Sequence, residues 1–275
     1  MLALRCGDLT LTLRLAMEHW NIERKRHACL MGPLSPDLRG PDTELVERPG
    51  WHQIITQSKS GWGNEVALSE LSEGDADRVI DEVIAGYRAR RLPTKWYVGY
   101  WTRPEDFGER LQRRGFVPSG VRGMGCETSL TIDSPSDVTV RQCDEQNLEE
   151  YLAVTMQGWG NPPEDLAGWR ERYRAGLHAV PRVVFHFGAW LGDELVGTSS
   201  LALRGDSGYL MGAQVLESAR GKGAYRALVA ARLEFLRERG LEYATIQAQE
   251  ATSAPILEHL GFESLFDSKC YYLAY

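Results

Sequence analysis

At 275 residues the chain exceeds the ~100–200 residues of an ordinary domain, so two domains are expected. With 43% hydrophobic and 25% charged residues it holds enough apolar material for a sizeable core, which excludes extensive disorder. The formal charge of −7, with no long Lys/Arg run, excludes a nucleic-acid partner and suits a neutral or cationic small substrate.

In the opening stretch "MLALRCGDLTLTLRLAMEHW", Arg5, Asp8 and Arg14 interrupt each apolar run, so a signal peptide is not expected. Nothing later approaches the ~20 apolar residues of a membrane span, so no membrane association is expected either. Cys6, Cys29, Cys126, Cys143 and Cys270 are scattered without metal-knuckle spacing. They predict reduced thiols in a cytoplasmic protein and no metal site.

The segment from Glu73 to Phe116 reads as a long helix, a strand, a short helix and Gly115-Phe116. "LTIDSPSDVT", rich in Ser, Asp and Pro, places a domain boundary near 130, giving 1–130 and 131–275. "DVTVRQ" (137–142) predicts a strand, and the helix after it is expected to be capped near Asp144. Pro162 and Pro163 open a second helix. "RVVFHFGAWL", "GDELVGTSSLAL" and "SGYLMGAQVL" predict three strands, the first two joined by a tight Gly192-Asp193 hairpin. Tyr225, Val229, Leu233 and Leu236 then recur at helical spacing until Gly240. Arg232 falls in the same arc, where its stem is expected to pack and its head to snorkel to water. A strand "LEYATIQAQ", a helix "TSAPILEHL" and two final strands, "GFESLF" and "KCYYLAY", complete the chain. The order predicts a mixed α/β layer architecture. Laying Gly115-Phe116 on Gly261-Phe262 gives an offset of 146 residues, under which the two halves read as diverged copies.

Chemistry concentrates at "SARGKGAYRALV" (218–229). Gly221 and Gly223 leave backbone N–H groups unscreened at a helix start, while Arg220 and Lys222 add mobile positive charge. That combination suits a diphosphate. Neither a Walker loop nor a dinucleotide fingerprint is present, because no Ser/Thr follows Lys222 and no third glycine follows Gly223.

With this loop, "VLESARGKGAYRALVAARL" followed by "QAQEATSAPILEHLGF", the sequence resembles the GNAT superfamily of acyl-coenzyme-A-dependent N-acyltransferases. Arg220 and Gly223 match the signature Q/R-x-x-G-x-G/A, whose last position is here Tyr225. The resemblance is good over 137–275 and faint over 40–130. It implies two GNAT-like domains in tandem, each a central mixed sheet flanked by helices, the first degenerate. Under the offset, Asp75 and Asp77 lie where phosphates would approach in that first copy, and acids there repel a pyrophosphate.

The resemblance further implies an N-acetyltransferase that moves an acetyl group from acetyl-CoA to a primary amine of a small molecule or peptide, by direct attack in a ternary complex. The implied coenzyme contacts are Val215, Leu216, Glu217, Arg220, Gly221, Lys222, Gly223, Ala224, Tyr225, Arg226 and Ser253. The acyl group is expected in a splay between strands 209–216 and 241–248, with Gly212 at a bulge and an amide near Val215 or Leu216 polarising the carbonyl. Glu250 and Glu217 are candidate bases, and His186 a cleft-wall histidine or proton relay. The position of the family's acid is Leu257, so the proton for the leaving thiolate is expected from Tyr225, Tyr271 or water. Trp159, Trp169 and Tyr173, with Glu164 or Asp165, are candidates to line the acceptor pocket. A catalytically silent acyl-CoA-binding or regulatory module is the alternative reading, and the assembly is expected to be a monomer or homodimer.

Overall fold

The computed structural model describes residues 20–34, 38, 40, 43–59 and 63–275. Residues 1–19, on which the signal-peptide question and Cys6 fall, lie outside them. The first half runs α1 (Ile22–Met31), β1 (Glu44–Arg48), β2 (Trp51–Ile55), β3 (Glu65–Ala67), α2 (Glu73–Ala89), β4 (Thr94–Gly99), α3 (Phe107–Arg113) and β5 (Val117–Glu127). The second runs β6 (Val138–Gln142), α4 (Leu148–Trp159), α5 (Leu166–Leu177), β7 (Val184–Leu191), β8 (Glu194–Arg204), β9 (Ser207–Val215), α6 (Ala224–Arg237), β10 (Tyr243–Gln249), α7 (Ser253–His259) and β11 (Glu263–Leu273). The mixed α/β architecture is as expected, and residues 128–137 carry neither helix nor strand.

Three local expectations are corrected. The helix expected to be capped near Asp144 starts at Leu148, because the Asp144 carboxylate accepts the N–H groups of Gln146 (2.9 Å) and Asn147 (3.2 Å) in a turn that precedes it. The two final strands are one, β11, with a register shift between Ser264 and Phe266 that lets the polar "DSK" stretch stay in the ladder. Arg232 does not snorkel: it is 0% exposed.

All eleven described strands form one sheet in the order β1-β2-β3-β4-β11-β5-β10-β9-β8-β7-β6. The last strand of each half has crossed to the other, for β5 pairs with β10 and β11 pairs with β4. β5 and β11 then pair with each other, antiparallel, at the middle of the sheet. The 146-residue offset carries α3 onto α7 and β5 onto β11 residue for residue. The rungs Val121↔Ser268 and Arg122↔Asp267 interchange under that offset, so a pseudo-two-fold axis passes between them.

Sheet alternation divides the cover. Helices α6 and α7 pack on one face over Leu201, Leu210, Ala244 and Ile246. On the same face α2 and α3 pack over Trp51, Val66, Trp96 and Tyr271. The other face carries α4 and α5 over Trp190 and Leu195, and α1 over Leu265 and Phe266. None of the described helices is long and apolar enough to cross a membrane.

Candidate functional site

Two departures from a regular ladder open the second half. β9 and β10 pair in parallel only from Tyr243↔Ser207 to Thr245↔Tyr209, after which they part from each other and run on to Val215 and Gln249, each paired only with its outer neighbour, β8 or β5. This is the expected splay. Against β8, the register of β9 shifts between Thr198↔Gln214 and Ser200↔Met211, and Gly212 sits in the gap with φ +59°. Gly212 therefore makes the bulge, in a backbone region that disfavours any residue with a Cβ. The Leu216 N–H donates to Val196 O at 2.8 Å and is spent in the ladder. Strand alternation turns the Val215 N–H the other way, into the splay.

Beyond β9 the chain makes a 3-10 turn, Glu217–Ala219, then enters α6 through Gly221 (φ +77°) and Gly223 (φ +83°). The N–H groups of Gly221, Gly223, Ala224, Tyr225 and Arg226 have no acceptor among the described residues. A Cβ at Gly221 would meet nothing within 4 Å, so its face is open to an approaching group, whereas one at Gly223 would collide with the Pro135 ring. Arg220, Lys222 and Arg226 are exposed around these amides, and none of the three forms an ion pair with a described residue. Free amides, a positive helix end and uncommitted cations make an anion site that fits a pyrophosphate.

The corresponding helix start in the first half is closed. Ser72 caps α2 by accepting the Asp75 N–H, and Asp75 pairs with Arg78 at 2.8 Å. Asp77 binds Arg110 at 2.7 Å and Arg114 at 2.9 Å. The first-turn amide is satisfied by Ser72, and the nearby cations are paired with this chain's own carboxylates.

The remaining predicted residues are distributed unevenly. Tyr225 is half-buried beside Ser253, whose hydroxyl also accepts the Gln249 N–H at 3.0 Å. Burial raises the Tyr225 phenol above its ordinary pKa, so it stays protonated. Glu217 is exposed at the rim of the cradle. Glu250 leans away from the splay, its carboxylate over Gly120 and 3.9 Å from Arg122 of β5, with its side chain 61% exposed. Leu257 is core. The Tyr271 hydroxyl is seated against Gly108 of α3, in the other half's core, so the structure does not bring it to the cradle.

On the α4–α5 face, Tyr173 stacks on His186 at 4.2 Å and lies 5.8 Å from Trp169. His186 Nδ1 meets Ser200 Oγ at 2.8 Å, and Tyr151 and Tyr173 approach the same hydroxyl. Burial pushes the His186 pKa down to about 3, so the ring is neutral and makes a poor proton acceptor. Asp165 accepts from Ser58 Oγ at 3.2 Å, which ties the first half to the mouth of α5. Ser200, Tyr151 and Gln214 were not picked out from the sequence. A run of small polar residues, "GTSSL", inside an otherwise apolar strand was the available signal.

Residues 145–262 match the family model described as Acetyltransferase (GNAT) family. No curated protein matches the chain. Among solved structures, it is similar to a functionally unknown conserved protein from Staphylococcus epidermidis (TM-score 0.66, 12% identity, covering 88% of this chain and 98% of that one). It is also similar to a GCN5-related N-acetyltransferase from Kribbella flavida (TM-score 0.62, 14% identity, 90% and 94% covered). A tandem GNAT protein from the clavulanic acid biosynthesis pathway is similar too (TM-score 0.55, 13% identity, 91% and 87% covered). Residues 145–262 are thus a GNAT-family acetyltransferase domain, set in a chain that shares its fold, along most of its length, with GNAT N-acetyltransferases that include a tandem protein.

Proposed function

We propose that the protein transfers an acetyl group from acetyl-CoA to a primary amine of a small molecule or peptide, by direct attack in a ternary complex. The observation that carries this reading is the open helix start at Gly221–Arg226, whose amides and whose cations Arg220, Lys222 and Arg226 have no partner among the described residues, at the end of the splay. In this reading 131–275 is the catalytic copy and 1–130 a degenerate one without a coenzyme site. The setting is cytoplasmic, in keeping with buried, unpaired Cys29, Cys126, Cys143 and Cys270.

The cradle holds the pyrophosphate, Val215 and Leu216 flank the pantetheine arm, and the Val215 N–H faces the thioester oxygen as negative charge gathers there. Ser253 and Tyr225 close the α7 side. Because the phenol is protonated, Tyr225 can donate to the departing thiolate. Glu250 is turned toward Arg122, which leaves Glu217 as the carboxylate for deprotonating the amine. Neutralising a lysine-like amine at pH 7 costs about 4.6 kcal/mol and an α-amine near pKa 8 only about 1.4 kcal/mol, so acceptors of low pKa are favoured.

A silent acyl-CoA-binding module is the second reading, and Leu257 in the core, at the position of the family's tyrosine, is the observation in its favour. Incubation with acetyl-CoA and a panel of amines, following free thiol, separates the two. Thiol release with one amine class supports transfer; coenzyme binding without release on any amine supports the silent module.

A further inference from the structure

Arg232 lies in the apolar arc of α6, in line with Tyr225, Val229, Leu233 and Leu236, yet it is a 0% exposed guanidinium. No described carboxylate pairs with it. Its Nε donates to Leu228 O at 2.9 Å and its Nη1 to Ser200 O at 3.1 Å, while Nη2 is buried without an acceptor. Burial pulls its pKa down only to about 10, so the charge persists at neutral pH.

The carbonyl it grips stands opposite the Gly212 bulge. From the other face, Tyr151 of α4 donates to the neighbouring carbonyl, Ser199 O, at 2.8 Å. A carbonyl has two lone pairs, so these side chains add to ladder bonds without displacing them. The bulged strand is held at its far end too: Gln214 Nε2 donates to Thr198 Oγ1 and Val154 O, both at 3.0 Å. The part of β8 that faces the bulge is thus fastened from both sides of the sheet, β9 itself is held through Gln214, and of these fasteners Arg232 carries the charge. Stability does not explain that charge, since even a buried ion pair can often be replaced by apolar side chains at no loss and an unpaired buried ion costs more still.

We propose that Arg232 is a positioning residue of the acyl-transfer site, fixing the β9 bulge through Ser200 O and placing a positive charge on the β8 rung that faces the bulge, in the strand pair whose Val215 N–H faces the reacting carbonyl. The inference rests on the acyl-transfer reading above. In a dry interior, a fixed charge near a developing oxyanion acts with little screening. It also polarises the Ser200–Leu201 peptide within the ladder.

Arg232→Met, Arg232→Lys and Tyr151→Phe test this in the full chain. For Arg232→Met, kcat is expected to fall at least about tenfold, with KM for acyl-CoA within about threefold of wild type. Its melting temperature should be unchanged or higher. Arg232→Lys should recover most of kcat. Hydrogen exchange at residues 211–215 should quicken in Arg232→Met and Tyr151→Phe. Wild-type kcat in Arg232→Met, or a loss that follows melting temperature and is not recovered by Lys, overturns the proposal. If wild type releases no thiol with any amine, the acyl-transfer reading fails by itself, and unchanged exchange at 211–215 in Arg232→Met then overturns the fastening as well.

Discussion

Arg122 on β5 faces Asp267 on β11, its Nε 3.4 Å from the carboxylate, on a rung where the two copies of the repeat meet across their axis. Each copy therefore completes its part of the sheet with a strand from the other. Burial of Leu265, Phe266 and Tyr271 on β11 contributes roughly 1.5–3 kcal/mol each, shared between both halves. Calorimetry of the full chain should show one transition with matching calorimetric and van't Hoff enthalpies, and a chain ending at Phe262 should yield no cooperative melt. Two resolved transitions would mean that the halves hold themselves up.

The contrast between the two helix starts sets a stoichiometry. Titration calorimetry should give one coenzyme A per chain, bound in the second half. Gly223→Ala should weaken binding by about tenfold or more, because it forces a Cβ into left-handed backbone at about 1–2 kcal/mol and into Pro135. Arg220→Ala with Lys222→Ala should weaken binding and flatten its salt dependence. Two sites per chain, or full affinity in Gly223→Ala, would contradict the assignment.

Tyr225 separates donor from filler. If its phenol protonates the departing thiolate, Tyr225→Phe should lower kcat by about 10²-fold with little change in coenzyme affinity. The same variant with wild-type kcat would leave Tyr225 only as a wall of the slot beside Ser253.

Acid stability should report His186. Its pKa lies near 3 in the fold and near 6.5 unfolded, so below pH 6.5 the unfolded chain takes up a proton that the native ring refuses. The stability this neutral ring supports is complete above pH 6.5 and is lost as pH falls toward 3, by at most about 1.4 kcal/mol per pH unit. Melting temperatures of wild type and His186→Phe, measured from pH 7 to 4, should diverge, the variant falling less. Parallel curves would place the acid sensitivity elsewhere.

Much of this was legible in the sequence because it is local. The period changes at Gly223 and Gly240 and the Gly192-Asp193 hairpin each lie within a few dozen residues, the 146-residue echo is one local pattern met twice, and each is present in the fold. The glycine-opened start of α6 was legible for the same reason. What the sequence hid is long-range: that β5 would lie beside β10, that Glu250 would turn toward Arg122, and that Arg232 would find two carbonyls in place of water. β11 was read as two pieces because Asp267, Ser268 and Lys269 are poor strand formers in isolation, but at the sheet centre Asp267 meets Arg122 and Ser268 bonds Val121 O at 3.1 Å.

The crossing of β5 and β11 also bears on what evolution can discard. The first copy has filled its own helix start with Ser72, Asp75 and Asp77, yet its last strand is the neighbour that β10 leans on at the edge of the splay. Losing the first half would strip the second of a strand. Mutual completion makes the first half an obligate scaffold, free to vary at its helix ends and bound to conserve its hydrogen-bond register.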